Sequence, residues 1–287
     1  VALVIVLWMV ALLAVIAASH TYSSRAETAL GSTVVGRAQA LAVAQAALVY
    51  VVMDLRRSQD ERRVPLDGTP YRWHFGDASA EISLVDVGGL IDLNTAPREL
   101  LQGALEAAGL DAEDEREALL DAIEDWKDAD DLRRLDGAEY DDYADAGFNY
   151  GPKNGSFDSV DELLQVMGMP ADVFERIRPN LTVYSRARGV DPEVSPDGVL
   201  RSLPDVDVED VEAFIQERAE RHEAEEQAPL WTAGGGNLAA APGLAYSTTV
   251  KAVAANAVTL QIGAVIALDV DPVSGRPFTV LEWRENL

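Results

Sequence analysis

Seven acids, Asp125, Asp128, Asp130, Asp131, Glu139, Asp141 and Asp142, fall within eighteen consecutive positions. The stretch is rich in Asp and Gly, which predicts an irregular loop rather than a regular helix. Carboxylates crowded in this way repel one another, and a divalent cation relieves that repulsion while tying the loop together. Calcium is the ion suited to the task, since it takes six to eight oxygen ligands from a flexible loop. The spacing is not that of an EF-hand. Asp128-x-Asp130 is present, but no Gly and Glu follow at the required offsets. From the residues alone, two readings stand side by side: a solvated acidic loop, or a cation site. Asp128, Asp130 and Glu139 are the first three positions to test.

Other site chemistries find little support. The chain has no cysteine, so disulfides, thiolate-bound zinc and Cys nucleophiles are excluded. Its three histidines, His20, His74 and His222, are far apart in sequence, against a multi-His metal site or a His-based triad. There is no Gly-rich phosphate loop, no G-x-S-x-G elbow and no H-E-x-x-H. Gly234, Gly235 and Gly236 follow no strand pattern and read as linker, and nothing selects a carboxylate pair for glycoside chemistry. The chain is therefore expected not to be an enzyme. Lys+Arg 23 against Asp+Glu 49 gives a net charge of −26. Such a surface repels phosphate backbones and gains nothing from counterion release, so no nucleic acid partner is expected.

The elements that must position the acids begin with an apolar stem. Val1–Ala18 carries no charged side chain. A helix of that length covers ~27 Å, close to the ~30 Å hydrocarbon core of a bilayer. The chain opens directly in this run, which is expected to be a mature membrane anchor rather than a cleavable signal. Helical pattern continues from Thr21 to about Arg57 with no proline before Pro65, giving one rod of ~80 Å. Leu41, Ala44, Leu48, Val51, Val52 and Leu55 recur at helical spacing, a stripe suited to lying on a sheet.

After the turn-rich segment 64–71, Tyr71–Phe75 and Ala80–Val87 alternate as a hairpin around Gly76 and Asp77. From Asn94 to Asn180 the pattern is helical. Thr95 is expected to cap a helix with Pro97 and Glu99 in its first turn, and Ser159–Glu162 reads as a capping box. Leu100, Leu101, Leu105 and Ala108 form one stripe, and Leu119, Leu120, Ile123 and Trp126 another. A second helical unit covers Val199–Arg221. Strand patterns return at Ala245–Ala254, Ala257–Val270 and Pro277–Trp283, with a hairpin loop at 271–276. The expected fold is α+β: a pilin-like long amino-terminal helix on an antiparallel sheet of four or five strands. A large all-α unit of helix-hairpin-helix or SAM-like type is inserted between strands. The boundaries read 1–20 for the membrane part, 21–92 and 244–287 for the pilin-like part, 93–225 for the insert and 226–243 for a linker.

Leu93-Asn94-Thr95-Ala96 and the following Gly109-Leu110-Asp111 resemble helix-hairpin-helix modules, which raises a membrane-tethered DNA receptor as the alternative. Residues 111–145 carry sixteen acids against four bases, Arg116, Lys127, Arg133 and Arg134, and that charge argues against it. A different likeness is more specific. Asp125-Trp126-Lys127-Asp128-Ala129-Asp130-Asp131, Gly137-Ala138-Glu139-Tyr140-Asp141-Asp142-Tyr143, Tyr150-Gly151-Pro152-Lys153-Asn154-Gly155 and Leu181-Thr182-Val183-Tyr184-Ser185 occur in order. With the apolar stem, they resemble general secretion pathway protein K, the K-type minor pseudopilin of type II secretion.

That resemblance implies a structural subunit at the pseudopilus tip, held in the bacterial inner membrane with its bulk in the periplasm. It implies calcium in the helical domain. The implied partners are the I-type and J-type minor pseudopilins, the major pseudopilin and the inner-membrane assembly platform, with the secretin and exoproteins as further contacts. Pseudopilins normally carry Glu at the fifth position; Ile5 departs from this and fits the K type, which lacks that acid. An unpaired carboxylate in lipid is costly, and a tip subunit has no neighbour above it to supply an amine. Val1, Leu3, Ile5, Leu7, Val10 and Leu13 are the expected assembly face of the stem.

Overall fold

The computed structural model describes residues 2–58, 61–224, 226, 228–233, 237–238, 243, 245–268 and 277–286, with the side chains of 21–29 and 286 left aside. The proposed hairpin loop 271–276, the Gly234–Gly236 run and Val1 lie outside them.

The proline-free amino-terminal sequence forms a single helix, α1 (Ala2–Leu55). Its Ala44, Leu48, Val51, Val52 and Leu55 are buried, together with Ala40 and Ala47, whereas Leu41 is half-buried at the edge of the stripe. Alanine at three of these positions brings the helix close to the sheet. Gly36 extends that approach, because a Cβ there would collide with the side chains of Asn256 and Val258. The turn after α1 is fixed by Asp54, whose Oδ2 accepts from the backbone N–H groups of Arg63 and Val64, both at 2.9 Å.

The sheet begins with β1 (Tyr71–Phe75) and β2 (Ala78–Asp86). A two-residue strand β3 (Ile91–Asp92) leads into the helical unit: α2 (Arg98–Ala107), α3 (Glu113–Lys127), α4 (Tyr140–Asp145), a 3-10 turn at Val160–Gln165 and α5 (Ala171–Ile177). β4 (Leu181–Thr182) pairs in parallel with β3, closing that unit at its root. α6 (Asp197–Leu200) and α7 (Val208–Glu223) form the second helical hairpin. β5 (Tyr246–Val253), β6 (Thr259–Ala267) and β7 (Thr279–Asn286) complete a five-stranded sheet in the order β1-β2-β5-β6-β7. All its pairings are antiparallel. Because β2 and β5 are neighbours, everything between them is an insertion that leaves and rejoins one sheet. The expected α+β architecture is thus the observed one.

Period-2 alternation divides the sheet's two faces. Ile82, Leu84, Val250, Ile262 and Ala264 point toward α1 and make one core with it. The helical insert has its own core, in which both predicted stripes, Leu100, Leu101, Leu105, Ala108 and Leu119, Leu120, Ile123, Trp126, meet Tyr143, Phe157, Phe174 and Ile177.

Two predicted caps are not formed. Thr95 does not cap α2, which starts at Arg98 with Pro97 at its cap position. Its hydroxyl donates instead to the Ala187 carbonyl at 2.5 Å, across the root of the insert. Nor does the Ser159 hydroxyl cap the 3-10 turn. Glu162 accepts from Asp158 N at 3.0 Å and from Lys153 Nζ at 2.9 Å, a local pair that draws it away from Ser159. Removing the Thr95 bond in Thr95→Val strands one partly buried carbonyl. The expected cost is about 1 kcal/mol, measurable by urea unfolding, and an unchanged midpoint would refute this role.

Candidate functional site

The acid-rich stretch is more ordered than its composition predicts. α3 runs on to Lys127 and α4 restarts at Tyr140, so Asp125, Asp141 and Asp142 are helical and the irregular loop is confined to 128–139. The apolar residues decide this: Trp126 and Tyr143 are both buried, with ring centroids 6.3 Å apart, and they anchor the loop's two ends.

Within the loop, Arg134 turns inward. Its backbone N–H donates to the Asp125 carboxylate at 3.2–3.3 Å, and Nη1 lies 3.0 Å from Asp128 Oδ2. Arg133 pairs with Asp142 at 2.8 Å, and the Glu139 N–H donates to Asp142 Oδ2 at 2.9 Å. Asp130 Oδ1 accepts from Leu132 N at 2.9 Å and Asp131 Oδ1 from Asn154 Nδ2 at 3.0 Å. Asp141 is exposed. Among the described residues, no three His, Cys, Asp or Glu side chains converge as a ready-made ligand set.

Three buried oxygens are nevertheless left without a hydrogen bond: Asp128 Oδ1, Glu139 Oε1 and Asn154 Oδ1. Burial, then the fields of Asp125, Asp128, Asp131 and Asp130, push the Glu139 carboxyl up to about 7. Burial likewise raises Asp125, against the opposing pull of Arg134. Five of the seven predicted acids therefore share one electrostatic neighbourhood, Asp142 is drawn off by Arg133, and Asp141 faces solvent. An all-oxygen set with unsatisfied acceptors suits a hard cation such as calcium. Sequence reading missed two members of this region. Asn154 sits at φ 51°, a left-handed position that Asn tolerates, and an Asn-Gly pair is its one sequence signal. Arg134 is the internal counter-charge, invisible without knowing which way it turns.

The stem has the opposite character. Ala2–His20 has a mean hydropathy of 2.8 and is long and apolar enough to cross a membrane. Leu3, Ile5, Leu7, Val10 and Leu13 are all exposed on it, as a surface awaiting lipid or other apolar helices must be.

Stem, sheet and insert together make a pilin-like fold with a helical unit inserted between β2 and β5, and known proteins share this arrangement. Residues 83–186 match the family described as type II secretion system (T2SS), protein K. The "Type II secretion system protein K" of Pectobacterium carotovorum subsp. carotovorum is 27% identical over 128 residues, which span 42% of this chain and 39% of that protein. The match therefore reaches only about two-fifths of that relative's length. Among solved structures, a chain of the GspK-GspI-GspJ complex from the enterotoxigenic Escherichia coli type 2 secretion system shares the fold. It has a TM-score of 0.53 and 16% identity, covering 92% of this chain and 99% of that one. The resemblance read from the sequence words is borne out.

Proposed function

We propose that this chain is a minor pseudopilin that stands at the tip of the type II pseudopilus, a structural part rather than a catalyst. In this reading Ala2–His20 lodges in the bacterial inner membrane and the sheet and insert lie in the periplasm. The observation that carries it is the insertion between β2 and β5, some 160 residues of chain that a subunit inside a helical shaft has no room for. One copy at the end of the fibre is the placement such a head permits. The partners that follow are I-type and J-type minor pseudopilins below it, then the major pseudopilin and the assembly platform, with the secretin and exported proteins within reach of the head.

Calcium belongs to the same proposal. Asp128, Glu139 and Asn154 supply the oxygens left unsatisfied, with Asp130 and Asp131 contributing field. A bound ion would supply positive charge that staples α3 to α4.

The test is to mix the full chain in detergent with purified I-type and J-type partners and measure stoichiometry. A 1:1:1 complex is expected. No association, or many copies of this chain along a fibre, would refute the placement.

A further inference from the structure

The five-stranded sheet has two outer strands, and they differ. β7 is guarded: Glu282, Arg284 and Glu285 lie along it, and its register with β6 slips between Val265 and Ile266. Charges and bulges of this kind discourage an added strand. β1 has neither a proline nor a break in register, and Arg72 is its one formal charge. Its hairpin fixes which groups it leaves open. Phe75 and Ala78 close a two-residue turn that begins with Gly76 at φ 59°. Phe75, Trp73 and Tyr71 are therefore the positions hydrogen-bonded to β2. The N–H and C=O groups of Arg72 and His74 point outward, and among the described residues no backbone group answers them.

The side chains along this edge are as open as its backbone. Tyr71 and Trp73 pack on the core beneath α1. With Tyr50 of that helix and Phe75, they build a run of nearly parallel rings. Centroids are 6.1 Å apart for Tyr50 and Tyr71, 5.5 Å for Tyr50 and Trp73, and 5.6 Å for Trp73 and Phe75. Across the hairpin, Trp73 and Phe75 stand opposite Ala80 and Ala78. Those methyl groups are too small to cover the rings, and Phe75 is left 61% exposed. A large apolar cross-strand neighbour is what such rings gain most from. On the opposite face the register runs Arg72, Glu81, Lys251 across three strands. One acid thus serves two bases, and an acid placed beyond Arg72 extends the alternation of sign. Arg72 is exposed, as is Arg63 near the Tyr50 end of the stack. On a chain of net charge −26, this edge is a basic spot.

We propose that β1 is extended by one strand from a partner protein, a segment with large apolar residues at alternate positions and acids between them. Its backbone bonds to Arg72 and His74, its apolar side chains lie beside Trp73 and Phe75, and an acid stands opposite Arg72. This is the addition of a strand to a sheet edge, in which main-chain bonds give affinity and alternate side chains give specificity. A second copy of this chain fits badly. Two β1 strands meeting antiparallel about Trp73 would set each Arg72 opposite a His74, with no acid to answer it. They would also bring together two bodies of the same high negative charge. The inference does not depend on the pseudopilin reading.

The probe is a capped, fluorescein-labelled peptide alternating valine and glutamate, titrated into the full chain in nanodiscs and followed by anisotropy against empty nanodiscs. A saturable rise is expected. His74→Pro removes an outward N–H without touching the bonds to β2, since proline is tolerated at a free edge. It should weaken binding roughly tenfold, the worth of one backbone hydrogen bond, at an unchanged unfolding midpoint. Arg72→Glu should weaken binding of this peptide and favour the one with lysine in place of glutamate, a reversal that misfolding does not produce. Absence of saturation, indifference to either variant, or preference of the unaltered chain for the lysine peptide would each overturn the assignment. So would a dimer of the chain alone that His74→Pro dissociates, because a second copy would then fill this edge.

Discussion

Arg218→Met is expected to cost about 3–5 kcal/mol of stability at neutral pH. Arg218 and Asp67 are each only 3% exposed at the side chain, with Nε 3.1 Å from Oδ2. All three guanidinium nitrogens are engaged: beside the Nε contact, Nη1 donates to the Ser195 carbonyl at 2.7 Å and Nη2 to Asp197 Oδ1 at 2.6 Å. His222 Nε2 donates to Asp67 Oδ2 at 2.9 Å from one turn further along α7. These bonds join the helical insert to the segment that leads into the sheet, where Asp67 bridges to Val85 of β2. Methionine fills the volume but leaves Asp67 charged and buried without its cation. That penalty, rather than lost attraction, makes the effect large.

The sign of the pH effect distinguishes this mechanism from a packing defect. Burial raises the Asp67 pKa, but the His222 bond, the Arg218 charge and the Thr69 bonds outweigh it and hold the carboxyl at about 2. A depressed pKa means the unfolded chain binds more protons than the folded one, so this stabilisation is complete above the ordinary carboxylate value near 4 and lost as pH falls toward 2. It is worth about 2 kcal/mol. The deficit of Arg218→Met should therefore shrink as the solution is acidified, because a protonated Asp67 no longer needs the cation. Urea unfolding of the full chain in detergent at pH 7 and pH 3 measures this. A deficit that is equal at both would mean the arginine acts through packing alone, through its place 5.5 Å over the Phe214 ring.

What the sequence shows of this joint, and what it hides, follows from range. The α1 stripe, the two helical stripes and the hairpin around Gly76 were legible because each is a local period, and a period fixes which face is buried before any partner is known. α7 reads as a mostly charged helix, and nothing local separates Arg218 from Arg221, which stays outside with Glu217 at 2.6 Å. Their difference is set by Asp67, some 150 positions away. Thr95 fails as a cap for a related reason, because its hydroxyl is taken by the Ala187 carbonyl across the root of the insert, whereas the Ser159 box is lost to the local bonds of Glu162 with Asp158 and Lys153. The acid stretch was legible as a cluster but not as a shape. Trp126 and Tyr143 override the loop-forming tendency of the aspartates, and Arg134, counted from sequence as one of four bases, becomes the charge around which Asp125 and Asp128 are arranged.

Calcium is expected to raise the thermal midpoint of the full chain by roughly 5–10 °C, a gain of about 2.7 kcal/mol when the free ion is a hundredfold above its dissociation constant. Without metal, Glu139 is strained by its neighbours. Burial and the surrounding aspartates raise it to about 7, so the folded chain binds more protons than the unfolded one between about pH 4.5 and 7, and stability falls as pH rises through that window. Calcium reverses the balance, since it needs the ionised carboxylate: its affinity should climb through pH 7, with a proton released on binding. Glu139→Gln should flatten the metal-free pH slope and abolish most of the calcium gain. Asp128→Asn keeps the shape beside Arg134 and should also remove the gain, whereas Asp141→Asn, out in solvent, should leave it intact. Calorimetry with calcium, with magnesium and with chelator decides the matter. Equal midpoints in all three would show that Arg134 already supplies all the positive charge this cluster needs. A gain with calcium alone would mean that the three unsatisfied oxygens hold a second cation beside the guanidinium.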